Sequence, residues 1–411
     1  MGSGRLVFGQ YAVSNGLCSV GGFRSSPLTP PNSPLITHHS PLPTPHSPPH
    51  SPLPTPHSRL ITHPSSLMTK NKILITGGCG YIGSHTAVDL LNKGYEVISI
   101  DNLSRSKSFI PDRIREITGK EFQNYKVDCR DLPKIRNIIS SHPDLIGIIH
   151  FAAFKSVNES MKNPLIYFDN NLKSTINLLR ITDEFEIPYF VFSSSCSVYG
   201  NTTVLPVNEL TPVETPESTY GWTKLIGEQM IEANARVSKS KYISLRYFNP
   251  VGAHESNLLG EIPYGNPENL VPNITQTAIG KRPSFTVHGN DYPTRDGSCV
   301  RDYLHVMDIA EAHTAALQYL ADCNQEKNYD IINLGSGEGV TVLELIRSFE
   351  KVSGVKLNYV IGPRREGDVV AIYADNTKAQ HLLNWNCKRD IDDMMRTAWN
   401  WELEMQRDNL N

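Results

Sequence analysis

The stretch ILITGGCGYIGSHTAVDLL, residues 73–91, runs from an aliphatic segment through four glycines into a helical pattern with almost no loop between them. The run Lys72–Thr76 reads as a buried strand, and the spacing of apolar residues after Gly80 predicts a helix over 81–93. Gly77, Gly78, Gly80 and Gly83 fall at the junction. A strand turning directly into a helix presents free N–H groups and the positive end of the helix dipole, and glycines there let a pyrophosphate approach the backbone. A glycine triplet alone is a weak signal. What strengthens it is the next strand, EVISID, which ends in Asp101, 18 residues beyond Gly83. A carboxylate at that place can accept the hydroxyl hydrogens of an adenosine ribose. The ordered set of strand, glycines, helix, strand and acid predicts a dinucleotide site. Asp101 would repel a 2′-phosphate, so the expected cofactor is NAD rather than NADP, and Arg105 is the residue that could counter this.

Beyond this unit, short β-branched runs alternate with helical stretches: strands near NYKVD, IGIIHFA, YFVFSSS and YISLRYF. Runs this apolar suit a parallel sheet covered on both faces, with the helices as crossovers. The fold class predicted is α/β, a doubly wound parallel sheet of Rossmann type over residues 71–250. From 251 to 411 the spacing loosens into Pro- and Gly-rich loops with helices expected at 305–321, 341–353 and 391–406. That part is expected to form a smaller α/β substrate-binding lobe, some segments returning to the first domain.

The first 70 residues differ in kind. They are rich in Pro, Ser and His, have no Asp or Glu up to Met68, and repeat SPLPTPHS at 40–47 and 51–58. Such a composition cannot bury enough apolar surface to offset chain ordering, so a disordered extension is expected, with a targeting peptide or a metal-binding His tract as alternatives. Met68 is a candidate start of the folded unit.

The whole chain, 411 residues with 39% hydrophobic and 20% charged content, fits a soluble globular protein of two domains. Its formal charge of −3 offers no general attraction to nucleic acid or an anionic membrane, and no apolar run approaches the ~20 residues of a membrane-spanning helix. Seven scattered cysteines show neither metal-ligand spacing nor a disulfide framework. No metal is expected, and the cytoplasm is the expected compartment.

In STYGWTK, Tyr220 and Lys224 are four apart on a predicted helix and so share one face. A nearby ammonium and a cationic nicotinamide would favour the phenolate, letting Tyr220 take a hydroxyl proton while hydride leaves the same carbon. On the order of one such pair arises by chance in a chain with this many Tyr and Lys residues; its weight comes from the upstream dinucleotide signature. Ser195, in SSSCSVYG at the carboxyl end of a predicted strand, can hydrogen-bond the reacting hydroxyl, or merely cap the following turn.

These residues resemble the extended short-chain dehydrogenases and, within them, the UDP-glucose 4-epimerase family. The likeness runs from about Lys72 to Trp401, through TGGCGYIGSHT, DNLSRSK, HFAAFKSV, YFDNN, SSSCSVYG, STYGWTK, LRYFNPVGAH, GNDYPTRDG, VRDYLHVMDIA and PRREGD. It implies reversible inversion at C4 of the hexose in UDP-glucose and UDP-galactose through a 4-keto intermediate, with tightly held NAD. It implies that Gly77, Gly80, Tyr81, Ile82 and Gly83 meet the pyrophosphate, that Asp101, Asn102, Leu103, Ser104, Arg105 and Ser106 surround the adenosine ribose, and that Asp128 and Cys129 flank the adenine. Phe151, Ala152, Ala153, Phe154, Lys155 and Asn170 would line the rest of the NAD site, with Phe248 near the nicotinamide. Ser195, Tyr220 and Lys224 match the catalytic trio. Asn249, Asn269, Leu270, Thr286, Val287, His288, Arg301, Arg365 and Asp368 match sugar-nucleotide contacts; at His288 many relatives carry an aromatic or aliphatic residue. Ile372 aligns where the family sets room around the C2 substituent of the sugar. Relatives are often homodimers. A 4,6-dehydratase of the same superfamily would carry Asp-Glu where this chain has Cys196 and Ser197, and a non-catalytic NAD sensor would have no need of the trio.

Overall fold

The computed structural model describes residues 71–322, 327–365 and 368–408; the expected extension over 1–70 lies outside them. In chain order the elements are β1 (Lys72–Thr76), α1 (Tyr81–Asn92), β2 (Glu96–Ile100), α2 (Ile110–Thr118), β3 (Gln123–Tyr125), α3 (Leu132–Ser140), β4 (Leu145–His150), α4 (Val157–Lys162), α5 (Pro164–Tyr167), α6 (Lys173–Glu184), β5 (Tyr189–Ser195), α7 (Thr219–Ala235) and β6 (Lys241–Tyr247). There follow β7 (Asn249–Val251), α8 (Leu270–Ala278), β8 (Phe285–His288), β9 (Val300–Arg301), β10 (Tyr303–His305), α9 (Val306–Asp322), β11 (Tyr329–Leu334), β12 (Val340–Thr341), α10 (Val342–Ser353), β13 (Tyr359–Gly362), β14 (Ala371–Ile372), α11 (Thr377–Leu383) and α12 (Ile391–Arg407).

Seven strands form one parallel sheet in the order β3-β2-β1-β4-β5-β6-β11. Strand order reverses between β1 and β4, so a crevice opens beyond their carboxyl ends, which is where open α/β sheets bind ligands. Ile73, Leu74 and Ile75 of β1 are fully buried, as a strand with both faces covered requires. One face packs on α1, α2 and α9, with Val88, Leu91, Ile114, Ile309 and Leu317 in a single cluster. The other face packs on α3, α6 and α7 through Ile135, Leu178, Ile181 and Ile231.

Although α9 and β11 lie far beyond residue 250, they join this sheet: α9 lies against α1 and β11 adds the strand beside β6. The rest of the second half has its own core, built by α8, α10 and α12 around Leu345, Phe349, Met394 and Met395. The helix α10 starts on a capping box, Thr341 and Glu344 each accepting from the other's backbone N–H, and stops at Gly354 in the left-handed region. Of three short sheets, β10-β7, β12-β9-β14 and β13-β8, the first two carry residues that face the crevice.

Candidate active site

The crevice is a cleft of about 1140 Å³. Its floor begins at Gly77, whose φ of +73° suits only glycine, and where a Cβ would stand 2.9 Å from the Ala152 nitrogen at the end of β4. A Cβ on Gly83 would stand 2.3 Å from the Gly77 carbonyl oxygen, so the first turn of α1 can lie against the turn only without a side chain there. The helix has no side-chain cap at Gly80. The first-turn N–H groups of an α-helix have no intrahelical acceptor, so those of α1 are available to an anion. Nearby, the Asp101 carboxylate is fixed by three donors: Leu103 N at 2.8 Å and Ser106 Oγ at 3.0 Å on Oδ1, and Cys79 N at 3.1 Å on Oδ2. A carboxylate offers about four acceptor sites, which leaves Oδ2 one for a ribose hydroxyl. The glycine cradle, the uncapped helix and the oriented acid together fit a dinucleotide.

Arg105 does not counter this. Its guanidinium is held bidentately by Glu159 at 2.6 and 2.7 Å, so its charge is already paired. Asp128 accepts from Asn102 at 3.0 Å and from Arg130, whose hydrogen bonds pull its carboxyl down to about 2 and keep it ionised.

The trio sits where β5 ends. Ser195 closes β5, and its Oγ accepts from Ser197 N at 3.2 Å and Ser197 Oγ at 3.0 Å, leaving its own hydrogen for Tyr220 or a ligand. Helix α7, capped by Ser218, carries Tyr220 and Lys224 on one face. It can press against β5 because residue 227 is glycine; a Cβ there would stand 2.7 Å from the Phe192 ring. Lys224 is buried, gives its Nζ hydrogen to the Ser193 carbonyl at 2.6 Å, and lies 5.7 Å from the Tyr220 ring centre. Burial lowers its pKa to about 7, against the pull of Glu228. Burial pushes the Tyr220 phenol up, as does Tyr247 beside it, while a hydrogen bond with Ser195 works the other way. Tyr220 is therefore a protonated phenol here, and a further positive charge is needed to make it a base.

Sequence reasoning missed Glu228, one helical turn beyond Lys224. It is buried, takes a hydrogen from Ser194 Oγ at 2.5 Å, and pairs with buried Arg246 at 2.6 Å. The i, i+4 spacing was the available signal. Ser193, Ser194 and Ser195 thus do three things: Ser193 meets Tyr247 and Lys224, Ser194 meets Glu228, and Ser195 faces the cleft.

Of the residues predicted for the cofactor, all line the cleft except Leu103. Leu103 has a φ of 59° and turns its side chain to a separate surface hollow with Pro111 and Phe122. Asn249, Asn269, Arg301, Arg365, Asp368 and Ile372 line the cleft as well; Leu270, Thr286, Val287 and His288 do not. In β8 the side chains alternate, so Val287 enters the core of the smaller lobe while Thr286 and His288 are exposed. Leu270 opens α8 and packs on the same core.

The comparisons with known proteins fit this geometry. A family profile described as GDP-mannose 4,6 dehydratase matches residues 74–398. The UDP-glucose 4-epimerase of Erwinia amylovora is 46% identical over 331 residues, 80% of this chain and 97% of that one. The chain belongs to the UDP-glucose 4-epimerase family. Among solved structures, the family member from Stenotrophomonas maltophila, with NAD and formylated UDP-arabinopyranose bound, superposes with a TM-score of 0.79 at 43% identity, over 82% of this chain and 99% of that one. The one from Bifidobacterium longum, in complex with NAD+ and UDP, gives 0.77 at 41%, over 81% and 98%.

Within the family frame the opposite wall of the cleft is informative. Arg301 and Arg365 converge on a single carboxylate, Asp368, at 3.3 and 3.0 Å, which leaves one positive charge in excess. Arg301 is fixed further by the carbonyls of Val300 and Val369, both at 2.8 Å. No carboxylate stands at positions 196–197. Burial pushes the Cys196 thiol up to about 12, so it is neutral and supplies neither acid nor base for an elimination.

Proposed function

We propose that the protein catalyses the reversible inversion of C4 in UDP-glucose and UDP-galactose with a resident NAD. The observation that carries this is the convergence of Ser195, Tyr220 and buried Lys224 at the end of β5, in one cleft with the arginine pair on Asp368. NAD would be held by the α1 N-terminus and Asp101, would take hydride from C4 and return it, and would lend the positive charge that favours the Tyr220 phenolate. Tyr220 takes the C4 hydroxyl proton and gives it back. Ser195 Oγ donates to the C4 oxygen, since Ser197 supplies the hydrogens that Oγ accepts. Lys224 holds positive charge beside the phenol and is itself held by the Ser193 carbonyl.

Inversion requires the flat 4-keto sugar to offer its second face to the same hydride, so the sugar must turn while the nucleotide stays. Arg301 and Arg365 suit the fixed part, because guanidinium groups grip phosphate oxygens in pairs. Few contacts to the hexose are then a requirement of the chemistry, with interactions kept for the reacting states. Residues 71–250, joined by α9 and β11, serve the cofactor, and the lobe around α8, α10 and α12 serves the sugar nucleotide.

A homodimer in the cytoplasm is part of the same reading. Exposed apolar side chains on α5, α6 and α7, namely Leu165, Ile166, Ile176 and Trp222, supply a surface that a second copy would cover. Incubation with UDP-galactose and assay for UDP-glucose tests the activity; no interconversion by protein shown to contain NAD refutes it. Light scattering on the eluted peak tests the dimer.

A further inference from the structure

At the adenosine end of the cleft four side chains from three separate segments meet in a way that nucleotide binding alone does not require. Besides its bidentate pair with Glu159 of α4, the Arg105 guanidinium lies 3.9 Å from the centre of the Phe154 ring and 4.6 Å from that of Tyr264. Glu159 is held in turn by the Tyr167 hydroxyl at 2.8 Å, and the Arg105 hydrogen bonds keep its carboxyl below the usual range. A planar cation that binds a carboxylate along its edge while rings lie against its faces is a geometry open to Arg and closed to Lys. Arg105, Phe154, Glu159 and Tyr264 all line the cleft.

Tyr264 comes from the segment between β7 and α8, which belongs to the sugar-nucleotide side. It is 65% exposed, so burial does not account for where its ring lies. Two more contacts tie this segment to the cofactor side: Lys155 to Glu261 at 2.8 Å and Ser156 to Glu268 at 2.6 Å. Glu261 also accepts from Asn269 at 2.7 Å, and its backbone carbonyl accepts from Trp401 at 3.0 Å.

We propose that Arg105, held by Glu159 and Phe154 and overlaid by Tyr264, is a buckle across the mouth of the cofactor half of the cleft, so that NAD leaves only when the 261–269 segment lifts from Arg105. The proposal rests on the reading of this cleft as an NAD site and adds what retains the cofactor there.

The test is the rate of NAD loss from purified holoenzyme, read as NADH fluorescence after dilution into alcohol dehydrogenase and ethanol, which trap each released molecule. Loss of a half-exposed cation–π contact in Tyr264→Ala should speed release about two- to fivefold, and Arg105→Ala should speed it more. The double variant should release no faster than Arg105→Ala alone, because Tyr264 acts through Arg105. Unchanged release in Tyr264→Ala, or effects of the two substitutions that simply multiply, overturns the buckle. Tyr264 is a surface residue, so its truncation leaves the fold in place, and a melting curve of each variant checks this. Denaturing the unmodified protein first separates the two ideas: no NAD in the supernatant defeats the cofactor reading and the buckle with it, whereas NAD present and released equally fast by all variants defeats only the buckle.

Discussion

Replacing Ile372 by glycine is the sharpest test of how the cleft selects its sugar. Ile372 is the second residue of β14, paired in parallel register opposite Arg301 of β9, so the proposed wall beside the sugar and the proposed phosphate grip are neighbours on one small sheet. It is 6% exposed, packs in the main core cluster and lines the cleft. Branching at Cβ makes it stiff, and it cannot swing aside for a larger ligand. The backbone around it is held independently, by Val300 N to the Val370 carbonyl at 3.0 Å and Ala374 N to Asp302 Oδ2 at 3.0 Å, so a glycine should leave the strand in place. Deleting a buried Ile side chain costs about 2–4 kcal/mol of stability, toward the lower figure here because one side of it already faces the cleft. The gain is in room: a clash with an acetamido group at C2 is worth about 1–3 kcal/mol, so kcat/KM for UDP-N-acetylglucosamine should rise relative to UDP-galactose by roughly 5- to 150-fold. The assay is paired initial rates on the two substrates, with product resolved by ion-exchange chromatography. Equal kcat/KM for both classes in the unmodified protein, or a glycine variant that gains nothing on the N-acetylated sugar, refutes the steric account.

Tyr220→Phe keeps the ring and removes the proton acceptor, so turnover should fall by at least ~100-fold while NAD remains bound, which absorbance of the released cofactor would check; near-normal epimerisation removes Tyr220 from its role. Asp101→Ala should weaken NAD by ~1–3 kcal/mol, the scale of hydrogen bonds to a charged group, measured as cofactor occupancy after gel filtration; unchanged occupancy means another group binds the ribose. Acid should destabilise the fold early. Burial holds His85, His150 and His305 at about 3 and His313 at about 4, each well below the 6.5 of a free imidazole. Below about pH 6.5 the unfolded chain binds protons that these folded residues refuse, so stability is complete above that pH and declines as pH falls toward 3–4, by about 1.4 kcal/mol per pH unit for each histidine. A melting temperature flat between pH 7 and 5 contradicts this.

Much of the architecture is written in local pattern. The strand YFVFSSS was read over the same seven residues that form β5, and the helix expected at 81–93 is α1 at 81–92, because apolar spacing and glycine punctuation act within a few residues along the chain. The strand expected at 124–128 is shorter and earlier, 123–125, since β3 is an edge strand and Asp128 has turned to bind Asn102 and Arg130. Asp101 stands 18 residues beyond Gly83 and was legible for the same reason, whereas Tyr220 and Lys224, four apart on one helix face, drew their weight from the dinucleotide signature far upstream.

The sequence by itself therefore determined the six strands from β1 to β6 and the glycine turn after β1, and marked Ser195, Tyr220 and Lys224 as candidates, while β11 entered the sheet only through the tertiary fold. Tertiary structure alone decided which charges are free to act. Arg105 is spent on Glu159, 54 residues away, and Lys155 meets Glu261 at a separation of 106. Thr286, Val287 and His288 match sugar-nucleotide contacts of the family, yet the alternation of β8 and its pairing with β13 turn them to the core or the outer surface. Spacing along the chain specifies which residues share a helix face or a strand edge; partners that meet across a cleft are set by how whole elements pack, and that depends on every contact in the core at once.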